Sequence, residues 1–196
     1  MPELRQLRRA HTHIGSNALP KGGIDAAQLI RGAAGLQIEI IARFKLSPTV
    51  TTGRFGLLVL ASSNKAEHTA VAFDIAREHV LLDRTHSGAS IDCDLRAGPW
   101  PQAAIASASA SRSVTVHIYV DHQVVEAIAF SDDAATNDNT ATRLSPRAGV
   151  EAVESTAISA WVKPASGSDG VAAFSEADGV TLESLDVWQL AAPRHG

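Results

Sequence analysis

The side chains with chemical potential are few and scattered. His11 and His13 flank Thr12. An extended strand puts such an i, i+2 pair on one face, and two imidazoles on one face can ligate a transition metal. No third ligand lies near them in sequence, so the pair reads as solvated polar strand residues, and no metal or other cofactor is assigned. The sole cysteine, Cys93, stands between Asp92 and Asp94, whose charges disfavour a thiolate, and it reads as an inert structural thiol. One cysteine cannot form an intrachain disulfide. Asp132, Asp133 and Asp138 crowd the run DDAATNDNT, but the spacing and the closing Glu of an EF-hand are missing, so the run reads as a plain loop.

A second group is polar and aromatic. Arg84 and His86 follow Asp83 at what reads as a strand end, Asp121 and His122 sit at a turn, and Trp100 lies in the loop sequence Gly98-Pro99-Trp100-Pro101. The simplest role for Asp83 and Arg84 is to tie a strand end to a neighbouring loop, by pairing with Asp121 or Glu126. The functional alternative is a ligand site. Planar polar groups beside an aromatic platform suit a sugar, and sandwich folds present sites at strand ends and loops. Arg84, His86, Trp100, Asp121 and His122 are therefore the candidate carbohydrate-binding residues. Trp161 and Trp188 fall within strands, where core packing is the expected role.

The elements that must position these groups are strands. In Val114–Asp121, Val114, Val116, Ile118 and Val120 alternate with Thr115, His117, Tyr119 and Asp121, a period of two that marks a strand with one buried face. After the break at Asp121-His122-Gln123, the run Val124–Phe130 is apolar on both sides apart from Glu126. The expectation is a hairpin whose second arm lies mid-sheet, covered on both faces. Leu36–Leu46 alternates, and Phe55–Ala61 is continuously apolar and reads as a central strand. His68–Ile75 with Glu78–Asp83 reads as a strand pair, and Thr140–Leu144, Ala157–Val162 and Gly179–Leu190 as later strands, the last closing the sheet. Ile24–Arg31 could make two turns of helix. About ten to twelve short strands with little helix predict an all-β antiparallel sandwich.

Composition sets bounds. The 196 residues suit one domain, or one domain with an appendage, and 45% hydrophobic residues suffice for a core. A net charge of −4 without any Lys/Arg cluster excludes nucleic acid as the expected partner. No run approaches a membrane span, and the N-terminus MPELRQLRRAHTHIG has no apolar signal-peptide core. The expected location is cytoplasmic as the chain is written, or secreted if it is a domain of a longer enzyme. No Gly-x-Ser-x-Gly elbow, P-loop, zincin helix or dinucleotide fingerprint is present.

Four stretches carry a family resemblance. Asp121-His122-Gln123-Val124-Val125-Glu126-Ala127 resembles the "VDRSxVEVF" hairpin of the C-terminal β-sandwich domain of family 32 glycoside hydrolases, the invertases, inulinases and levanases. Leu82–Gly88 resembles their "LDRTxSG", Thr142–Pro146 their "TRxYP", and Leu185–Leu190 their closing "LxxWxL". His122 stands where the family usually has Arg, Ala127 where it has a larger residue, and Ser145 where it has an aromatic.

The resemblance implies a jelly-roll or concanavalin-like sandwich at residues 36–196, after a lead-in segment and loop at residues 1–35. In the family, catalysis belongs to an N-terminal propeller with "NDPNG", "RDP" and "EC" motifs, none of which occurs here. Glycoside hydrolysis needs two carboxylates flanking the bond, and no such motif-framed pair is found, so the chain is not expected to be an enzyme. The expected function is a non-catalytic, lectin-like module binding a glycan or fructo-oligosaccharide. The alternative is a structural accessory domain of such a hydrolase. A homodimer is also expected. In relatives the propeller covers one surface of the sandwich, and with only 19% charged residues this chain has few charges to shield that surface from water.

Overall fold

Alternation builds two sheets with a shared interior. The computed structural model describes residues 8–30, 37–77, 79–86, 89–90, 96–99, 112–121, 124–131, 155–161 and 170–190. Among the described residues thirteen strands run β1 Arg8–Ile14, β2 Asn17–Ala18, β3 Gln37–Leu46, β4 Arg54–Ala61, β5 His68–Asp74, β6 His79–His86, β7 Ala89–Ser90, β8 Arg96–Pro99, β9 Arg112–Asp121, β10 Val124–Ser131, β11 Ser155–Trp161, β12 Gly170–Ser175 and β13 Val180–Leu190, and one short helix, α1, spans Gly23–Ala26. The seven-stranded sheet has the order β1-β13-β3-β9-β10-β11, with β2 also on β13. The six-stranded sheet has the order β12-β4-β5-β6-β7, with β8 on β6. The strand pairings in both sheets are antiparallel. This is the all-β sandwich that the strand pattern predicts.

The core lies between the sheets. From the seven-stranded sheet come Ile38, Ile40, Phe44, Val116, Ile118, Val120, Val125, Leu185 and Val187; from the six-stranded sheet come Phe55, Leu57, Val59, Val71, Phe73, Val80 and Leu82. Phe44 meets Phe55 edge-on at 5.2 Å between ring centroids, and Phe55 stacks on Phe73 at 4.9 Å. Such offset aromatic pairs add about 0.5–1.5 kcal/mol beyond their buried area.

The continuous apolarity of β4, and of Ala70–Phe73 within β5, has a structural cause. Their other face carries Leu58, Ala70 and Ala72, which join Ala172 and Phe174 in a second cluster packed under Ile24, Ala27 and Leu29. The covering segment is held by Lys65, whose Nζ donates to the carbonyl oxygens of Asp25 and Ala27 at 2.6 and 3.1 Å. Gly56 makes the close approach of β4 to β5 possible, since a Cβ there would meet the Val71 carbonyl oxygen at 2.1 Å.

Three expectations change. The two-turn helix at Ile24–Arg31 shrinks to Gly23–Ala26, because Ile30 exchanges backbone hydrogen bonds with Val171 of β12, which holds the chain extended. β10 does lie mid-sheet, between β9 and β11, but is not covered on both faces: Val125, Ala127 and Ala129 are buried, Val124 and Ile128 are half-buried, and Glu126 is exposed. β13 does not end the sheet but sits between β1 and β3. The expected strand Thr140–Leu144, Cys93 and the Asp132–Thr140 run lie outside the described residues. Among the described residues no helix is long and apolar enough to cross a membrane.

Candidate functional site

The described members of the expected site divide between the two sheets. Arg84 lies in β6 opposite Thr69, and His86 ends β6 opposite Ala89, both in the six-stranded sheet. Asp121 ends β9 in the seven-stranded sheet, opposite Gln37 and Val124. Its Oδ1 accepts a 3.0 Å hydrogen bond from Gln37 Nε2. Trp100 and His122 lie outside the described residues.

The outer face of the seven-stranded sheet gathers a different set. With Ile38, Ile40, Ile118, Val120, Leu185 and Val187 pointing into the core, their neighbours in each strand point outward. Cross-strand register then aligns His11, Trp188, Glu39, Tyr119 and Glu126 in one row, on β1, β13, β3, β9 and β10. The next row is His13, Asp186, Ile41, His117 and Ile128. At about 4.8 Å between strands, Trp188 and Tyr119 stand roughly 10 Å apart with Glu39 between them. Asp121, two residues beyond Tyr119, belongs to the same face.

This face is polar but well packed. Glu39 Oε1 lies 2.9 Å from His117 Nε2, with side-chain exposures of 5% and 11%. The Tyr119 phenol is pushed above its ordinary pKa, first by burial and then by the carboxylates of Asp121, Glu126 and Glu39. It therefore stays neutral and keeps a proton to donate. Carboxylates supply acceptors only, so the row combines hydrogen-bond acceptors with two aromatic rings.

Trp188 corrects the expectation of core packing. It is half-buried on the outer face, and its indole stacks on the His11 ring at 4.8 Å with 7° between planes. Trp161 lies in β11 opposite Val124. His11 Nε2 and His13 Nδ1 converge on one oxygen, Asp186 Oδ1, at 2.8 and 2.7 Å. The sequence conceals this third group because Asp186 is 173 residues beyond His13, and only the β1–β13 register brings them together. Glu39, His117 and Tyr119 were equally concealed. Each occupies the polar phase of an alternating strand, which says which way a residue points but not what it meets.

On the other sheet, Glu176 is engaged by Arg54, with Nη2 donating to Oε1 at 2.7 Å and Nε to both oxygens at 3.1 and 3.2 Å. The bond to Glu176 is the main reason the Arg54 guanidinium is held more firmly protonated than usual. A shallow cleft beside Glu176 is lined by Lys21, Gly22, Gly23, Ile24 and Asp25.

Two packed antiparallel sheets with almost no helix define the β-sandwich class. Within it, the family profile "Glycosyl hydrolases family 32 C terminal" matches residues 3–136, and the chain belongs to that family, whose C-terminal domain lacks the catalytic propeller. Exo-inulinase from Aspergillus awamori is similar over 96% of this chain and 31% of its own, with a TM-score of 0.59 and 20% identity. Fructosyltransferase from A. japonicus is similar over 98% and 28%, with a TM-score of 0.62 and 15% identity. Fructofuranosidase from Schwanniomyces occidentalis, complexed with fructose, is similar over 94% and 34%, with a TM-score of 0.59 and 11% identity. At these identities the likeness is one of fold, and the chain spans about a third of each of these proteins. No curated protein matches it by sequence.

Proposed function

We propose that this domain is a non-catalytic carbohydrate-binding module whose ligand lies on the outer face of the seven-stranded sheet. The observation that carries the reading is the row Trp188, Glu39 and Tyr119 on three adjacent strands, with His117 bonded to Glu39 and Asp121 at the rim. Sugars offer hydroxyl donors to carboxylates and C–H faces to aromatic rings; the exposed Glu126 at the end of this row and the rings of Tyr119 and Trp188 are the matching partners, while the shielded Glu39 braces the row from beneath. Fructo-oligosaccharides are the ligand class favoured by the family and by neighbours that are an inulinase, a fructosyltransferase and a fructofuranosidase.

Affinity electrophoresis in gels containing inulin or levan, run beside an assay for released fructose, tests this. The reading requires retardation without fructose release. Unretarded migration in both gels, or fructose release that is lost on substituting one carboxylate, contradicts it.

A second reading is an accessory domain that buttresses a catalytic propeller. It is favoured by one observation: the match covers only 28–34% of each neighbour. Under that reading the same outer face or another surface contacts protein, and no free glycan binds.

A further inference from the structure

His11, His13 and Asp186 form a three-residue cluster on the outer face, at the edge of the seven-stranded sheet. β1 is the edge strand and pairs with β13, placing His13 directly opposite Asp186 and His11 opposite Trp188. The two imidazole nitrogens and the carboxylate oxygen all lie within 4.8 Å of one another. From this convergence we infer that the cluster is a binding site for a divalent transition metal, of which Zn2+ is the best match.

The chemistry follows from the donor set. Two imidazoles and one carboxylate suit Zn2+, Cu2+ or Ni2+, whereas Ca2+ and Mg2+ prefer all-oxygen sites. With metal–ligand bonds of about 2.1 Å, ligand atoms in a tetrahedron stand roughly 3.4 Å apart. His11 Nε2 and His13 Nδ1 are 2.8 and 2.7 Å from Asp186 Oδ1. An ion therefore enters if each ring draws back from the carboxylate by less than about 1 Å and the two imidazole nitrogens, within 4.8 Å of each other, close toward the same spacing. The rings have room to do so, since their side chains are 46% and 54% exposed, and Asp186 is 22% exposed.

The scaffold fixes the rest. A strand keeps His11 and His13 on one face whether or not an ion is present. The indole of Trp188, parallel to the His11 ring, orients that imidazole as an outer-shell partner does in other metal sites. Three protein ligands leave a fourth tetrahedral position for water or an added ligand.

Calorimetric titration of the tag-free protein with ZnCl2 tests the inference, with Co2+ absorption as a second readout of coordination number. The site predicts one saturable Zn2+ per chain, visible Co2+ bands of a four-coordinate ion, and no heat with Ca2+ or Mg2+. His11→Ala, His13→Ala and Asp186→Asn should each weaken Zn2+ by at least about tenfold. Trp188→Phe should keep the stoichiometry, and an unchanged circular dichroism spectrum shows that each variant is folded. Absence of saturable binding overturns the inference, as does binding that survives in all three ligand variants, which would place the metal on other side chains such as the six remaining histidines.

Discussion

Glu39 Oε1 and His117 Nε2 meet at 2.9 Å across β3 and β9, both nearly shielded from solvent, on the sheet face that points away from the core. In register Glu39 faces Tyr119 and His117 faces Ile41, so the contact is a diagonal one between neighbouring strands. A shielded pair of this kind is costly to break from one side, because the remaining partner is left without its hydrogen bond. Glu39→Ala should lower stability by roughly 2–4 kcal/mol. Glu39→Gln should cost less, and Glu39→Ala should cost less again when His117 is already alanine. Urea unfolding of the double-mutant cycle measures this, and strictly additive losses would show that the two side chains are not coupled.

The facing of the central hairpin is tested by two neighbours in β9. Ile118 is fully buried, whereas Thr115 is half-buried on the outer face. Ile118→Ala should cost about 2–4 kcal/mol and Thr115→Ala much less, read as shifts in the urea midpoint. Equal shifts would contradict the described facing.

A pH dependence follows from His68. Its Nδ1 lies 2.8 Å from the Lys65 carbonyl oxygen, so the neutral ring donates there. Burial lowers its pKa below 6.5, outweighing that hydrogen bond and Asp83, which act the other way. The unfolded imidazole therefore takes up its proton at a higher pH than the folded one. This contribution to stability is complete above about pH 6.5, falls as the pH drops from there through the folded pKa, and is flat below it. Between about pH 7 and pH 5 the unfolding midpoint should drop less in His68→Asn, whose amide can keep the bond to Lys65, than in the unsubstituted protein. Parallel pH profiles would remove His68 as a cause.

The sandwich was legible because burial writes a period of two into β3 and β9, and because β4, covered on both faces, became continuously apolar. β10 misled for the same reason: Val124 and Ile128 are apolar yet face outward, so apolarity on both sides did not mean cover on both sides. The outer-face row was not legible. Trp188 and His11 are 177 positions apart by their numbering, and their stacking depends on a β1–β13 pairing that no local pattern encodes. Likewise, Tyr119 looks like any polar-phase residue of β9 until register sets it opposite Glu39. Asp121, picked out by its place at a turn, is the described candidate that shares this face, two residues beyond Tyr119, while Arg84 and His86 belong to the other sheet.

Calorimetric titration with fructo-oligosaccharides tests the central claim most directly, comparing the unsubstituted protein with Tyr119→Ala, Trp188→Ala, Arg84→Ala and Trp100→Ala. The account predicts measurable binding that Tyr119→Ala and Trp188→Ala each weaken by about tenfold or more, equivalent to roughly 1.4 kcal/mol, with Arg84→Ala and Trp100→Ala near the unsubstituted value. Binding that ignores Tyr119 and Trp188 but is lost with Arg84 or Trp100, or no binding to any fructo-oligosaccharide, would contradict it.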